Sequence, residues 1–168
     1  NDTLTNDQNV VFSGSVSEAV TLTMNGQSVS QNPDNTFNAT LTLSEGANAV
    51  DVVATDAGGN SDSLTVNVTV DSTPPEAPDT NLINRGNPNN GIVMVTGQPG
   101  AVETGALVHV VNNTSGYEAL ELAETDGSFT AEVAAFANDT LSVFAVDAAG
   151  NTGTSSSLAP ATTPTLTL

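Results

Sequence analysis

Carboxylates are the side chains through which this sequence could do chemistry: 19 Asp and Glu stand against one Arg, one His and no Cys or Lys. Carboxylate and carbonyl oxygens suit Ca²⁺, which gathers about 6–8 of them, water included. The acids are informatively placed around residues 71–79, where Asp71, Glu76 and Asp79 are interleaved with Pro74, Pro75 and Pro78. Three prolines fix φ and remove amide donors, so no sheet runs through this segment and it reads as a semi-extended linker. Acids at both ends of a stiff connector suggest a joint set by a cation. Asp71, Asp79 and Asp147 lead the candidate ligands, with Glu76, Glu45, Glu103, Asp126 and Asn151 completing the set. A competing reading stands beside this one. Asp56 and Asp147 each open an Asp-x-x-Gly-Asn loop, where an Asp side chain accepts backbone N–H bonds and turn-making alone accounts for the residue.

Other chemistries are poorly supplied. Without cysteine or lysine there is no disulfide, thiolate metal site or lysine-derived isopeptide bridge. His109 lies in the strand-like run Leu107-Val108-His109-Val110-Val111 with no partner motif, and its facing is left open by the register. Paired carboxylates that hydrolyse sugars need a cleft with aromatic platforms, yet Trp is absent and Tyr117 is the single tyrosine. Gly58-Gly59 has no helix behind it to hold a phosphate. Glu118, Glu121 and Glu124 read as a solvated face, and the sequons at Asn38, Asn67, Asn113 and Asn138 as products of a Thr- and Asn-rich surface. No catalytic or cofactor-binding residue is assigned.

The net charge of −18 excludes nucleic acid and anionic membrane as partners, since both require protein cations. The load is shared evenly, with nine acids and no base over residues 1–72 and nine acids with Arg85 over residues 77–168. No stretch is long and apolar enough to span a membrane, and no signal peptide is visible, which fits a mature fragment of a larger extracellular chain. Apolar residues at 38% in alternating runs argue against disorder.

The elements that must position the carboxylates are strands. Thr3-Leu4-Thr5 is a short lead-in. Val10 and Phe12 share a face before Gly14, which ends or bulges its strand. Leu22 and Met24 alternate with threonines ahead of Asn25-Gly26, the signature of a type I′ hairpin. Phe37, Ala39, Leu41 and Leu43, then Val50, Val52 and Ala54, then Leu64, Val66, Val68 and Val70 each form an inward set of period two. Turns every 8 to 12 residues and no helical period describe an antiparallel sandwich. The order then returns: Asp126-Gly127-Ser128-Phe129 answers Asp34-Asn35-Thr36-Phe37, and residues 147–151 answer residues 56–60 at identical spacing. If strands alternate in direction, Glu45 falls at the hinge end of the first half. Glu103, Asp126 and residues 147–151 fall at the entry end of the second. The expected organisation is a sandwich over 1–72, a proline-rich linker over 73–78, a sandwich over 79–160 and a tail over 161–168 leading to something further.

Gly14, Asn25-Gly26, Asp34 to Phe37, Glu45 to Asn48, Asp56 to Asn60 and the closing Asp71-Ser72-Thr73-Pro74-Pro75 together resemble bacterial Ig-like repeats of large secreted and surface-anchored adhesins. The resemblance covers nearly the whole chain. It implies two tandem Ig-like antiparallel β-sandwiches arranged end to end, acting as a non-catalytic extension segment outside the cell. Its implied partners are neighbouring repeats and, through domains elsewhere, a host, biofilm or other surface. It also implies Ca²⁺ at the domain junction as the stiffening cofactor. The alternative is an accessory, glycan-binding module of a secreted polysaccharide-active enzyme, because sandwiches of this kind serve there too. One residue breaks the pattern: Phe144, like Val53, sits on an outward register, so it is expected to pack under a strand or loop of its own domain.

Overall fold

The computed structural model describes residues 2–160; the tail expected at 161–168 lies outside them. The described residues form strands and turns without a helix, in two compact units divided after Ser72.

The first unit contains β1 (Thr3–Thr5), β2 (Asn9–Ser15), β3 (Thr21–Met24), β4 (Gln27–Val29), β5 (Thr36–Thr42), β6 (Gly46–Thr55) and β7 (Ser61–Val70). One sheet has the order β1-β7-β6-β3-β4, and the pair β2-β5 forms the other. Their inward residues make one core in which Phe12 of β2, Met24 of β3, Val50 of β6 and Val68 and Val70 of β7 meet. Period-two alternation puts these side chains on one face of each strand. Each such fully buried Val or Met is worth about 1.5–3 kcal/mol over its exposed state. Asn25 and Gly26, at φ 48° and 76°, build the expected type I′ turn, and the Asn25 side chain accepts the Asp51 N–H at 2.9 Å.

The second unit contains β8 (Ile83–Arg85), β9 (Ile92–Gly97), β10 (Leu107–Asn112), β11 (Glu118–Leu122), β12 (Phe129–Ala134), β13 (Leu141–Val146) and β14 (Ser156–Leu158). The sheets β11-β10-β13-β14 and β12-β9-β8 enclose a larger core that includes Val93, Val95, Val108, Val110, Phe129, Leu141 and Val143. The sequence repeat is a structural one. β5 pairs with β2 so that Phe37 faces Gly14, and β12 pairs with β9 so that Phe129 faces Gly97. Gly14 therefore neither ends nor bulges its strand. It makes room for a ring: a Cβ on Gly14 would lie 2.6 Å from Phe37 Cζ, and one on Gly97 would lie 2.3 Å from Phe129 Cε1.

The entry strands differ. β1 pairs in parallel with β7 at Val68 to Val70, whereas β8 pairs antiparallel with β9. In the second unit the segment before β8 is packed rather than loose. Pro75 and Pro78 are buried, the Pro78 carbonyl accepts Ser156 Oγ–H at 2.8 Å, and the Pro75 carbonyl is 2.6 Å from where a Cβ of Gly153 would be. One expectation is corrected. Leu64 belongs to the inward register of β7 but is 64% exposed, at the border of an open cleft that Val16, Phe37 and Val52 also line.

Candidate functional site

Within the second unit, three of the expected ligands share one cleft. Glu76, Asp79 and Glu103 line a cavity of about 410 Å³ together with Gly100, Ala101 and Val102. The Asp79 N–H donates to the Ala101 carbonyl at 3.0 Å, which ties the entry segment to the loop carrying Glu103. Asp126 lies beside the same loop, since Gly100 N–H donates to the Asp126 carbonyl at 2.7 Å.

The carboxylates of Asp147, Asp126, Asp79 and Glu45 accept hydrogen bonds within the protein. Asp147 Oδ1 accepts the Asn151 N–H at 2.9 Å and Oδ2 accepts Asn151 Nδ2 at 2.8 Å, while Gly150 N–H reaches the Asp147 carbonyl at 3.2 Å. Asp56 and Asn60 repeat the pattern at 2.8, 2.7 and, through Gly59, 3.1 Å. Burial pushes the Asp147 carboxyl up, but the Asn151 side chain and amides of residues 149–151 outweigh it and hold the group below the usual carboxylate range. Asn60 does the same for exposed Asp56, and the Ser128 hydroxyl and amide do so for Asp126. In the first unit, Glu45 accepts the Ser72 N–H and Oγ–H, the latter at 2.7 Å, and the Asp71 N–H donates to the Thr5 carbonyl at 2.9 Å. Asp79 Oδ1 accepts both the N–H and the Nδ2–H of Asn81 at 2.9 Å.

The donor chemistry of the cleft suits a hard cation. Its arrangement is not that of a preformed metal centre, for among the described residues no three His, Cys, Asp or Glu side chains group as ligands.

His109 resolves to the outer face of its sheet. Its Nδ1 lies 2.6 Å from Glu118 Oε1, and its ring stacks on Phe144 with centroids 4.4 Å apart and planes 14° from parallel. Phe144 is half-buried, with the His109 ring stacked on it and Thr152, Gly153 and Ser155 of the following loop lining a shallow cavity beside it. Glu118, read as a purely solvated residue, is the partner of the histidine. The remaining base, Arg85, serves structure: Nη1 donates to the Asp139 carbonyl at 2.8 Å and Nη2 to the Phe136 carbonyl at 3.2 Å.

Residues 1–72 match the family model described as glucodextranase, domain B. No curated protein matches the chain. Solved structures similar to it are largely repeat domains of bacterial adhesins. The BSP domain of a biofilm associated protein shares 21% identity over 97% of this chain and 29% of that one, at a TM-score of 0.35. A Ca²⁺-stabilized adhesin with which an Antarctic bacterium binds ice shares 20% over 93% and 44%, at 0.44. The fibronectin(III)-like modules of Clostridium thermocellum CbhA share 18% over 93% and 85%, at 0.47. The chain thus spans less than half the length of the two adhesin structures. None of these likenesses reaches a quarter identity or a TM-score of 0.5, and the functional reading rests on the chain's own geometry.

Proposed function

We propose that the chain is a non-catalytic extension segment of a bacterial extracellular surface protein, built from two tandem Ig-like antiparallel β-sandwiches. The observation that carries this reading is the duplication itself. The Gly–Phe cross-strand pair and the Asp-x-x-Gly-Asn hairpin recur with the same hydrogen bonds in both units. Repeating one module along a chain lengthens it, and the Asp56, Asp126 and Asp147 carboxylates are engaged in turns. A net charge of −18 favours solubility and keeps such a chain apart from its copies. Neighbouring repeats of the same chain are its first partners. Adhesion falls to domains outside this segment.

Calcium is part of the proposal. Glu76, Asp79 and Glu103 are its holders in the second unit, with carbonyls of the loop at 100–102 and water completing the shell. Bound there, the ion would fasten the proline-bearing entry segment to the loop and offset local repulsion. At about 100 times its dissociation constant, calcium that binds only the folded state adds about 2.7 kcal/mol. Melting the chain with calcium, then with chelator at matched ionic strength, tests this. Superimposable curves, or a shift that survives Asp79→Asn with Glu103→Gln, would remove the ion from this cleft.

The match of residues 1–72 to a glucodextranase domain favours a second reading, an accessory module of a secreted polysaccharide-active enzyme. Binding of a glycan to the isolated chain would support it. Further repeats on either side of this segment in the parent sequence would support the extension role.

A further inference from the structure

The outer faces of the two equivalent sheets are not alike. In the second unit the register aligns Leu122, Leu107 and Val146 in one row across β11, β10 and β13, with Leu120, His109 and Phe144 in the next. Leu120 and Leu122 are 55% and 63% exposed, and Leu107 is 37% exposed. In the first unit the corresponding row across β4, β3 and β6 reads Ser28, Thr23 and Val53, with Thr21 and Thr55 beside it. One face is that of an ordinary wetted sheet; the other is apolar across three strands. The contrast extends to the strands themselves: the outer registers of β10 and β13 carry Leu107, Val111, Phe144 and Val146, with His109 and Ser142 as their polar members. A contiguous apolar patch on so polar a chain marks an interaction surface.

Charge selects the occupant. The chain carries −18; Glu118 stands on this face beside His109, and Glu121, on the other register of β11, and Glu124, in the following turn, are exposed on the same edge of the sheet. A second copy would bring the same acids against them, at a cost in repulsion. A partner with a cationic border would be attracted and steered to the face. We infer that the outer β11-β10-β13 face of the second unit is a docking site for a protein partner whose contact surface is an apolar strip bordered by Lys or Arg. This role differs from lengthening the chain and does not depend on calcium.

The test uses the full chain and fluorescein-labelled peptides in which Leu and Phe alternate with Lys, against the same peptides with Glu for Lys, at about 150 mM salt, where long-range attraction is screened. Anisotropy should show binding of the Lys peptide alone. Leu120→Ser with Leu122→Ser should weaken it at least tenfold, while Val53→Ser in the first unit leaves it unchanged. Shift mapping on the unaltered chain should place the peptide at Leu107, Leu120, Leu122 and Phe144 whether or not the double variant folds. Equal binding by the double variant in its folded form, equal binding of the Glu peptide, or shifts confined to other faces would each overturn the proposal. So would sedimentation showing a dimer that the double variant abolishes, which would make the occupant a second copy.

Discussion

Removing the Asn112 side chain should be among the most damaging single changes to the second unit. Asn112 is 1% exposed at the end of β10, and each of its hydrogen-bonding positions is used. Nδ2 donates to the Ala134 carbonyl at 2.9 Å and to Asp139 Oδ2 at 2.8 Å, and Oδ1 accepts the amides of Thr114 and Ser115 at 3.0 and 3.3 Å. In Asn112→Ala the two amides lie on an exposed hairpin and regain water. The Ala134 carbonyl does not regain a donor so easily, whereas the Asp139 carboxylate reaches water. The bond lost at Ala134 and the small cavity together cost about 2–3 kcal/mol. For a unit of this size each kcal/mol moves the melting point by about 4–8 °C, so the second unit should melt about 8–24 °C lower while the first is unchanged. Tyr117, the single tyrosine of a chain without tryptophan, reports on the second unit alone and receives the Asn112 N–H on its carbonyl at 2.7 Å. Denaturant unfolding followed by its fluorescence gives the number. Asn112→Asp should be worse at neutral pH, with two carboxylates facing each other, and its deficit should shrink on acidification as a proton restores one donor. A loss below about 1 kcal/mol for Asn112→Ala, or a deficit of Asn112→Asp that ignores pH, would refute the reasoning.

Alanine at Gly97 must displace the Phe129 ring, so Gly97→Ala should cost about 1–3 kcal/mol; Gly14→Ala should cost the first unit a similar amount, and domain-resolved melting checks both. Phe144→Ala should cost about 2 kcal/mol, less than a fully buried ring, because Phe144 is covered by His109 and remains half-exposed. Asp139 is held below its ordinary range first by the Phe136 amide and then by the Asn112 side chain, as Asp56, Asp126 and Asp147 are by their own turns. Folded values below the unfolded ones contribute stability that is full above about pH 4 and lost as pH falls through the folded values. An acid titration of stability should therefore be flat from pH 8 to about 5 with respect to these groups and fall below about 4; a fall centred near 6 would implicate other residues.

The alternation of Val, Leu and Thr was enough to read the sandwich halves, because a half-buried strand can expose only every second residue. Local turn chemistry was legible for the same reason of short range. Asn25-Gly26 and the two Asp-x-x-Gly-Asn hairpins involve neighbours in sequence, and the bonds they make are those their side chains dictate. What the sequence left open depended on contacts between distant segments. Gly14 reads as a strand end until Phe37 is seen across from it. Leu64 reads as core until it is seen at the border of an open cleft beside Phe37 and Val52. His109 acquired a face, a stacking partner in Phe144 and an acid in Glu118 only when three strands took their register. The carboxylates divide in the same way. Asp147 and Asn151 were paired by a four-residue spacing, but the meeting of Glu76, Asp79 and Glu103 is a product of how the entry segment packs on a loop some twenty residues further on, a placement no local pattern encodes.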